Sequence, residues 1–137
     1  MWMRGHLRII ILLCLLVTIL ALPVESAPPS NDDFTGTWTH MTAGAEWSAR
    51  ESHSSVAMPD GSIILMGGTD SGGCKNDVWR STDKGATWTQ QTASAGWSAR
   101  TDFSSVALPD GSIVLMGGFD GNKYMNDVWR STDKGGH

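Results

Sequence analysis

Beyond residue 26 the chain is a succession of short apolar runs broken by turn-forming clusters, and no window there sets apolar residues at a helical spacing. Residues 54–58 alternate Val56 and Met58 against small residues, as a half-buried strand does. Pro59-Asp60-Gly61 then turns the chain, the proline fixing φ at the first corner and the glycine accepting a positive φ at the last. Residues 62–68 (SIILMGG) are continuously apolar and β-branched up to a glycine doublet, the pattern of a strand buried on both faces. A loop at 69–75 leads to a third strand at 76–82 (NDVWRST). Asp83-Lys84-Gly85 turns into a fourth at 87–92 (TWTQQT).

The pattern then begins again. Trp38 corresponds to Trp88, Arg50 to Arg100, Gly67-Gly68 to Gly117-Gly118, and Trp79 to Trp129, always at an offset of 50. Of the 50 aligned positions 33 are identical without a gap, so each copy, 38–87 and 88–137, is one supersecondary unit of a modular array. The second copy repeats the strands at 104–108, 112–118 and 126–132, and a lone segment at 37–42 is expected as one further strand. The predicted fold class is all-β, with four-stranded antiparallel blades of a β-propeller. Residues 27–36 are expected as a flexible lead-in to the two blade repeats of 37–137. Propellers close with about 4–8 blades, so two blades make an incomplete one. The chain is then either a piece of a longer array, the preferred expectation because the second copy stops inside a motif, or a unit that self-associates.

Arg50-x-x-His53, the Gly67-Gly68 doublet, Asn76-Asp77-Val78-Trp79 and the later Trp88 resemble a kelch repeat, as in the central propeller of galactose-oxidase-like proteins. The resemblance covers residues 38–137 and departs at Phe103, which stands where the first copy has His53. Ser81-x-Asp83-x-Gly85-x-Thr87-Trp88 also resembles the Asp box of sialidase-type propellers. Ser131, Asp133 and Gly135 begin the same motif, and Asp33, Thr37 and Trp38 keep traces of a third. These resemblances imply structural roles. The glycines let backbones approach closely, and Ser81 and Asp83 accept turn amides. Trp79 and Trp88 are expected as plates between blades, Trp129 as a structural motif position equivalent to Trp79, and Arg50 and Arg100 as members of ion pairs within the blade contacts.

The first 26 residues read differently. Arg4, His6 and Arg8 precede an uncharged run from Ile9 to Leu22 that Pro23 ends. Fourteen such residues rise only about 21 Å as a helix, short of the roughly 30 Å hydrocarbon core. A secretory signal cleaved after Ser26 fits better than a stable membrane span, with a retained anchor as the alternative. Removing Arg4, Arg8 and Glu25 from 10 basic and 14 acidic residues leaves 8 and 13, an acidic balance that gives nucleic acid no reason to bind. Cys14 departs with the signal, leaving Cys74 without a partner in the chain.

The residue inventory argues against catalysis. A copper-radical oxidase needs two tyrosines, and the chain has one, Tyr124. A sialidase needs three converging arginines, whereas Arg50 with Arg100 and Arg80 with Arg130 are repeat-locked pairs in different blades. Asp60 and Asp110 read as turn formers, Asp120-Gly121-Asn122 lacks the remaining ligands of a calcium loop, and His40, His53 and His137 share no zinc spacing. No catalytic, cofactor-binding or metal residue is expected. The two copies differ most between the doublet and the third strand, TDSGGCK against FDGNKYM, where six of seven positions change. Variable loops on a shared scaffold build binding surfaces, although drift after duplication would give the same contrast. Asp70, Cys74, Phe119, Asp120 and Tyr124 are the candidate binding residues, with Phe119, Tyr124 and Met125 as exposed anchors for a protein or glycan partner. The alternative is the N-terminal piece of a secreted glycan-acting or oxidising enzyme whose catalytic residues lie elsewhere.

Overall fold

Nine short strands, all within the unit Trp38–His137, carry the architecture. The structure is a computed structural model and describes residues 36–136. The expected signal at 1–26, the lead-in as far as residue 35 with Asp33, and His137 lie outside the described residues.

The first sheet has the order β1-β2-β5-β6, built from β1 (Ser54–Ala57), β2 (Ile63–Met66), β5 (Val78–Ser81) and β6 (Thr89–Thr92). Between β2 and β5 lies a small hairpin of β3 (Thr69–Asp70) and β4 (Gly73–Cys74). The second sheet has the order β7-β8-β9, from β7 (Ser104–Ala107), β8 (Ile113–Met116) and β9 (Val128–Ser131). Every pairing is antiparallel, and the registers repeat: Ser55 faces Leu65 and Leu65 faces Trp79, as Ser105 faces Leu115 and Leu115 faces Trp129. These are propeller blades, and the sheets do not close into a ring among the described residues.

Turn chemistry sets the register. The amide of Gly61 donates to Met58 O and that of Met58 to Ser62 O, while Asp60 Oδ1 accepts the Ser62 amide at 3.0 Å. Gly61 takes the positive φ (81°) that the turn needs. The second blade uses the same contacts at Leu108, Asp110, Gly111 and Ser112.

Two expectations change here. Residues 38–42 form no strand, although their near-copy at 88–92 contains β6. A strand exists through its ladder; β6 has β5 beside it, and residues 38–42 have no such neighbour among the described residues. The loop at 69–75 is also more ordered than a plain loop, because the Gly72 amide donates to Asp70 Oδ1 at 2.7 Å and closes the β3-β4 hairpin.

The core lies between the two sheets. Val56, Met58, Ile64, Met66 and Val78 of the first meet Ala95, Trp97, Phe103, Ile113 and Leu115 of the second and its lead-in. Burying each large apolar side chain contributes about 1.5–3 kcal/mol. The tryptophan buried in the gap is Trp97, not the expected Trp79 or Trp88. Trp79 is half-buried and donates Nε1–H to Asp77 Oδ2 at 2.9 Å. Trp88 is half-buried and edge-on to Trp47 with 6.0 Å between ring centres, and Trp129 is exposed. Trp129 nonetheless faces the gap: it lies opposite Leu115 and lines the cavity between the sheets with Met66, Val78 and Trp97. Gly67 is where the doublet earns its conformation: at φ 55° an added Cβ would lie 2.7 Å from Phe103 Cε1.

Candidate functional site

The antiparallel order sends the turns at 58–62 and 82–88 to one end of the first sheet. The doublet, the 69–75 loop and the 93–103 connection go to the other end. The 119–125 loop takes the corresponding place on the second sheet. All five candidate binding residues are therefore at the doublet end.

Beneath these loops sit the two arginines. Arg50 donates Nη1 to Asp77 Oδ1 (2.6 Å) and Gly67 O (3.0 Å), Nη2 to Asp77 Oδ2 (2.9 Å) and Ser48 Oγ (3.1 Å), and Nε to Ser48 O (3.1 Å). Arg100 makes the same set with Asp127, Gly117 O and Ser98. A guanidinium has five N–H donors, and each is used inside the chain, so neither arginine has one left for a ligand. Burial pushes the Asp77 carboxyl up, but the hydrogen bonds from Arg50 and Trp79 and the Arg50 charge outweigh it and hold the group below its ordinary value. Arg100, with Trp129, holds Asp127 well below the usual carboxylate range.

Above the arginines the loops diverge. In the first, Asp70 accepts Ser48 Oγ at 2.7 Å and pairs with Lys75 Nζ at 2.9 Å. The hydrogen bonds from Ser48, Lys75 and the Gly72 amide lower its carboxyl to about 2. Ser48, Asp70, Cys74, Lys75 and Asn76 line a polar hollow, with Cys74 half-buried and its thiol free. In the second loop, Asp120 Oδ1 accepts the amides of Lys123 and Asn122, both at 2.9 Å, and these hold its carboxyl below the ordinary value. Phe119 and Tyr124 pair at 5.2 Å between ring centres. A Cβ added at Gly121 would lie 3.9 Å from Cys74 Sγ, so the two loops are side by side and form one surface.

Of the three expected anchors only Tyr124 projects, at 86 % exposed. Phe119 is half-buried because its backbone bridges Thr101 and Tyr124, and Met125 is half-buried because its amide is tied to Gly118 O.

At the opposite end Asp60 pairs with Arg80 (2.9 Å) and Lys134 (2.5 Å), and Asp110 with Arg130 (2.7 Å). In the turn at 81–88, Asp83 accepts the Thr87 amide and hydroxyl and the Ser81 hydroxyl, which lower its carboxyl to about 2. Among the described residues no group of three histidine, cysteine or acidic side chains is placed to hold a metal, and no helix is long and apolar enough to cross a membrane.

The roles of three residues escaped the sequence reading. Asp77 and Asp127 are the arginines' partners, and their signal was an Arg-to-Asp spacing that recurs in both copies. Asn76 is the third. Its side-chain amide donates to Ala95 O (3.0 Å) and Trp97 O (3.1 Å), clamping the second blade's lead-in to the first.

Residues 29–134 match the DUF6242 beta propeller domain. No curated protein matches the chain.

Proposed function

Since the chain belongs to the DUF6242 beta propeller family, we propose that it is an exported, non-catalytic propeller segment that binds a protein or carbohydrate ligand through the paired loops at the doublet end. Export rests on the basic start and the short apolar run of the first 26 residues. The repeats are read as kelch-type, with Asp-box turns at 81–88 and 131–135, on the motifs that carry those resemblances.

The observation that carries the reading is Tyr124, a large amphipathic ring left exposed on a loop whose Gly121 lies next to Cys74 of the polar hollow. Such a side chain supplies contact area at small conformational cost, to a sugar face or to a protein surface. The saturated arginines and turn-bound aspartates support a non-catalytic role, since each is occupied by a structural partner.

The test is binding of the chain to immobilised glycan and extracellular-protein panels, followed by Tyr124→Ser and Asp70→Asn. Loss of the bound signal is expected from both, with an unchanged melting temperature for Tyr124→Ser. A ligand held equally well by both variants removes this surface from the function. Amino-terminal sequencing of secreted material tests export, with Ala27 expected as the first residue.

A further inference from the structure

The two loops at the doublet end share one backbone turn and differ in what stands on it. Asp70 Oδ1 accepts the Gly72 amide at 2.7 Å, and Asp120 Oδ1 accepts the Asn122 amide at 2.9 Å. In the second loop the Asp120 amide also donates to Lys123 O and the Lys123 amide to Asp120 Oδ1, while Phe119 bridges Tyr124. That loop is therefore fixed by its own main chain and by Asp120. On the shared turn the first copy carries Gly72, Gly73 and Cys74 where the second carries Asn122, Lys123 and Tyr124. The carboxylate of the first loop is engaged inside the chain, Asp70 with Ser48 and Lys75. The side chains of Asn122, Lys123 and Tyr124 are exposed and make no hydrogen bond or salt bridge to any described residue. One ammonium and one carboxylate leave this tip without net charge.

We propose that the 119–125 tip binds a neutral pyranose of a glycan chain, with the face of Tyr124 under the sugar and Asn122 and Lys123 at its hydroxyls. The assignment rests on the paired loops being the binding surface. A ring that stands clear of its loop meets its ligand over a face, not in a cleft. A pyranose with equatorial hydroxyls has axial C–H bonds, whose positive ends suit the negative face of an aromatic ring. Its hydroxyls then radiate in the ring plane, where an amide offers donors and an acceptor, an ammonium offers three donors and a phenol offers both. A protein partner would bury about 800 Å² on this side around an apolar centre. Tyr124 is the one large apolar side chain exposed on the two loops. Because the turn is already fixed, little ordering opposes binding. An added Cβ at Gly121 would lie 3.9 Å from Cys74 Sγ, so the first loop backs the tip, and Asp70 is a positioning residue.

The chain has one tyrosine, so ring-labelled tyrosine in the full chain gives a single nuclear magnetic resonance signature. Cellohexaose, mannohexaose and xylohexaose are titrated against it, with hexagalacturonate as the charged comparison. A shift of the Tyr124 ring signal with at least one neutral probe is expected, with saturation passing to that sugar's C–H protons. Tyr124→Ser should weaken binding at least about tenfold, as loss of an aromatic anchor does. Tyr124→Phe should stay within about fivefold, the worth of one hydrogen bond. Asn122→Gly with Lys123→Gly, which gives the tip the first loop's residues, should weaken binding while the far-ultraviolet circular dichroism stays unchanged. A ring signal unmoved by all three neutral probes overturns the proposal, as does equal affinity in wild type and Tyr124→Ser, or tighter binding of hexagalacturonate than of every neutral probe. If an extracellular protein moves the Tyr124 signal instead, the paired-loop surface stands and the glycan assignment falls. If neither kind of ligand moves it, both fall.

Discussion

The two blades are nearly the same sequence in two different surroundings. Val78 is 1 % exposed and its counterpart Val128 is 65 %; Met66 is 2 % exposed and Met116 is 39 %. The side chains, strands and registers agree, so the difference comes from the neighbour. Trp97, Phe103, Ile113 and Leu115 cover one face of the first blade, and nothing among the described residues covers the equivalent face of the second. Burial in a repeat protein is a property of adjacent units, not of one unit, and stability follows the interfaces between them.

The largest expected effect breaks the arginine pairs. Asp77→Ala leaves the Arg50 guanidinium, 1 % exposed, without its carboxylate, and loss of one partner of a buried pair costs about 3–5 kcal/mol. Asp127→Ala is expected to cost less, because the Asp127 side chain is already 33 % exposed and its removal admits water to Arg100. Urea denaturation at low protein concentration should give that ranking. Equal losses would mean that the surroundings do not matter.

The doublets give the next contrast. Gly67→Val drives a side chain against Phe103 and Arg100 O at a positive φ, with overpacking of about 1–3 kcal/mol. Gly117→Val bears the φ strain with only Met125 O at 3.3 Å, so its melting temperature should fall less. A larger fall for Gly117→Val would reverse the assignment of the open face.

Acid titration separates the turns. The Asp83 carboxyl, lowered from 3.8 to about 2, stabilises the fold above its unfolded value and loses that contribution as pH falls through about 2. Urea midpoints between pH 2 and 5 should therefore converge for wild type and Asp83→Asn at the acid end. A constant separation would show that the carboxylate does not hold this turn. The smallest effect is Tyr124→Ser, an exposed change expected within about 0.5 kcal/mol. A large drop in melting temperature would move that loop from the binding surface into the structural frame.

Much of the blade was legible because local chemistry writes it. Pro59, Gly61, Asp83 and Gly85 mark turns, and the apolar runs between them fall where β1, β2, β5 and β6 lie, with ends trimmed by a residue or two. The β3-β4 hairpin could have been read from Asp70, Gly72 and Gly73, a turn-forming cluster inside a seven-residue loop. What was not legible depends on contacts distant in sequence. Residues 38–42 and 88–92 look alike as strings, and only the presence of β5 makes a strand of the second. The exposure of Tyr124 beside the half-burial of Phe119 likewise follows from a backbone bridge to Thr101.

The position of β6 also orders events during synthesis. The first sheet spans the boundary at 87 and 88, taking its fourth strand from the second sequence copy. A ribosome that has released only the first copy has released three strands of the first sheet with a bare edge, and the apolar face above them stays wet until residues 97–115 follow. The first blade is finished by the copy behind it, so its folding waits for that successor. A pause in translation just after residue 87 would hold the nascent chain in its most adhesive form.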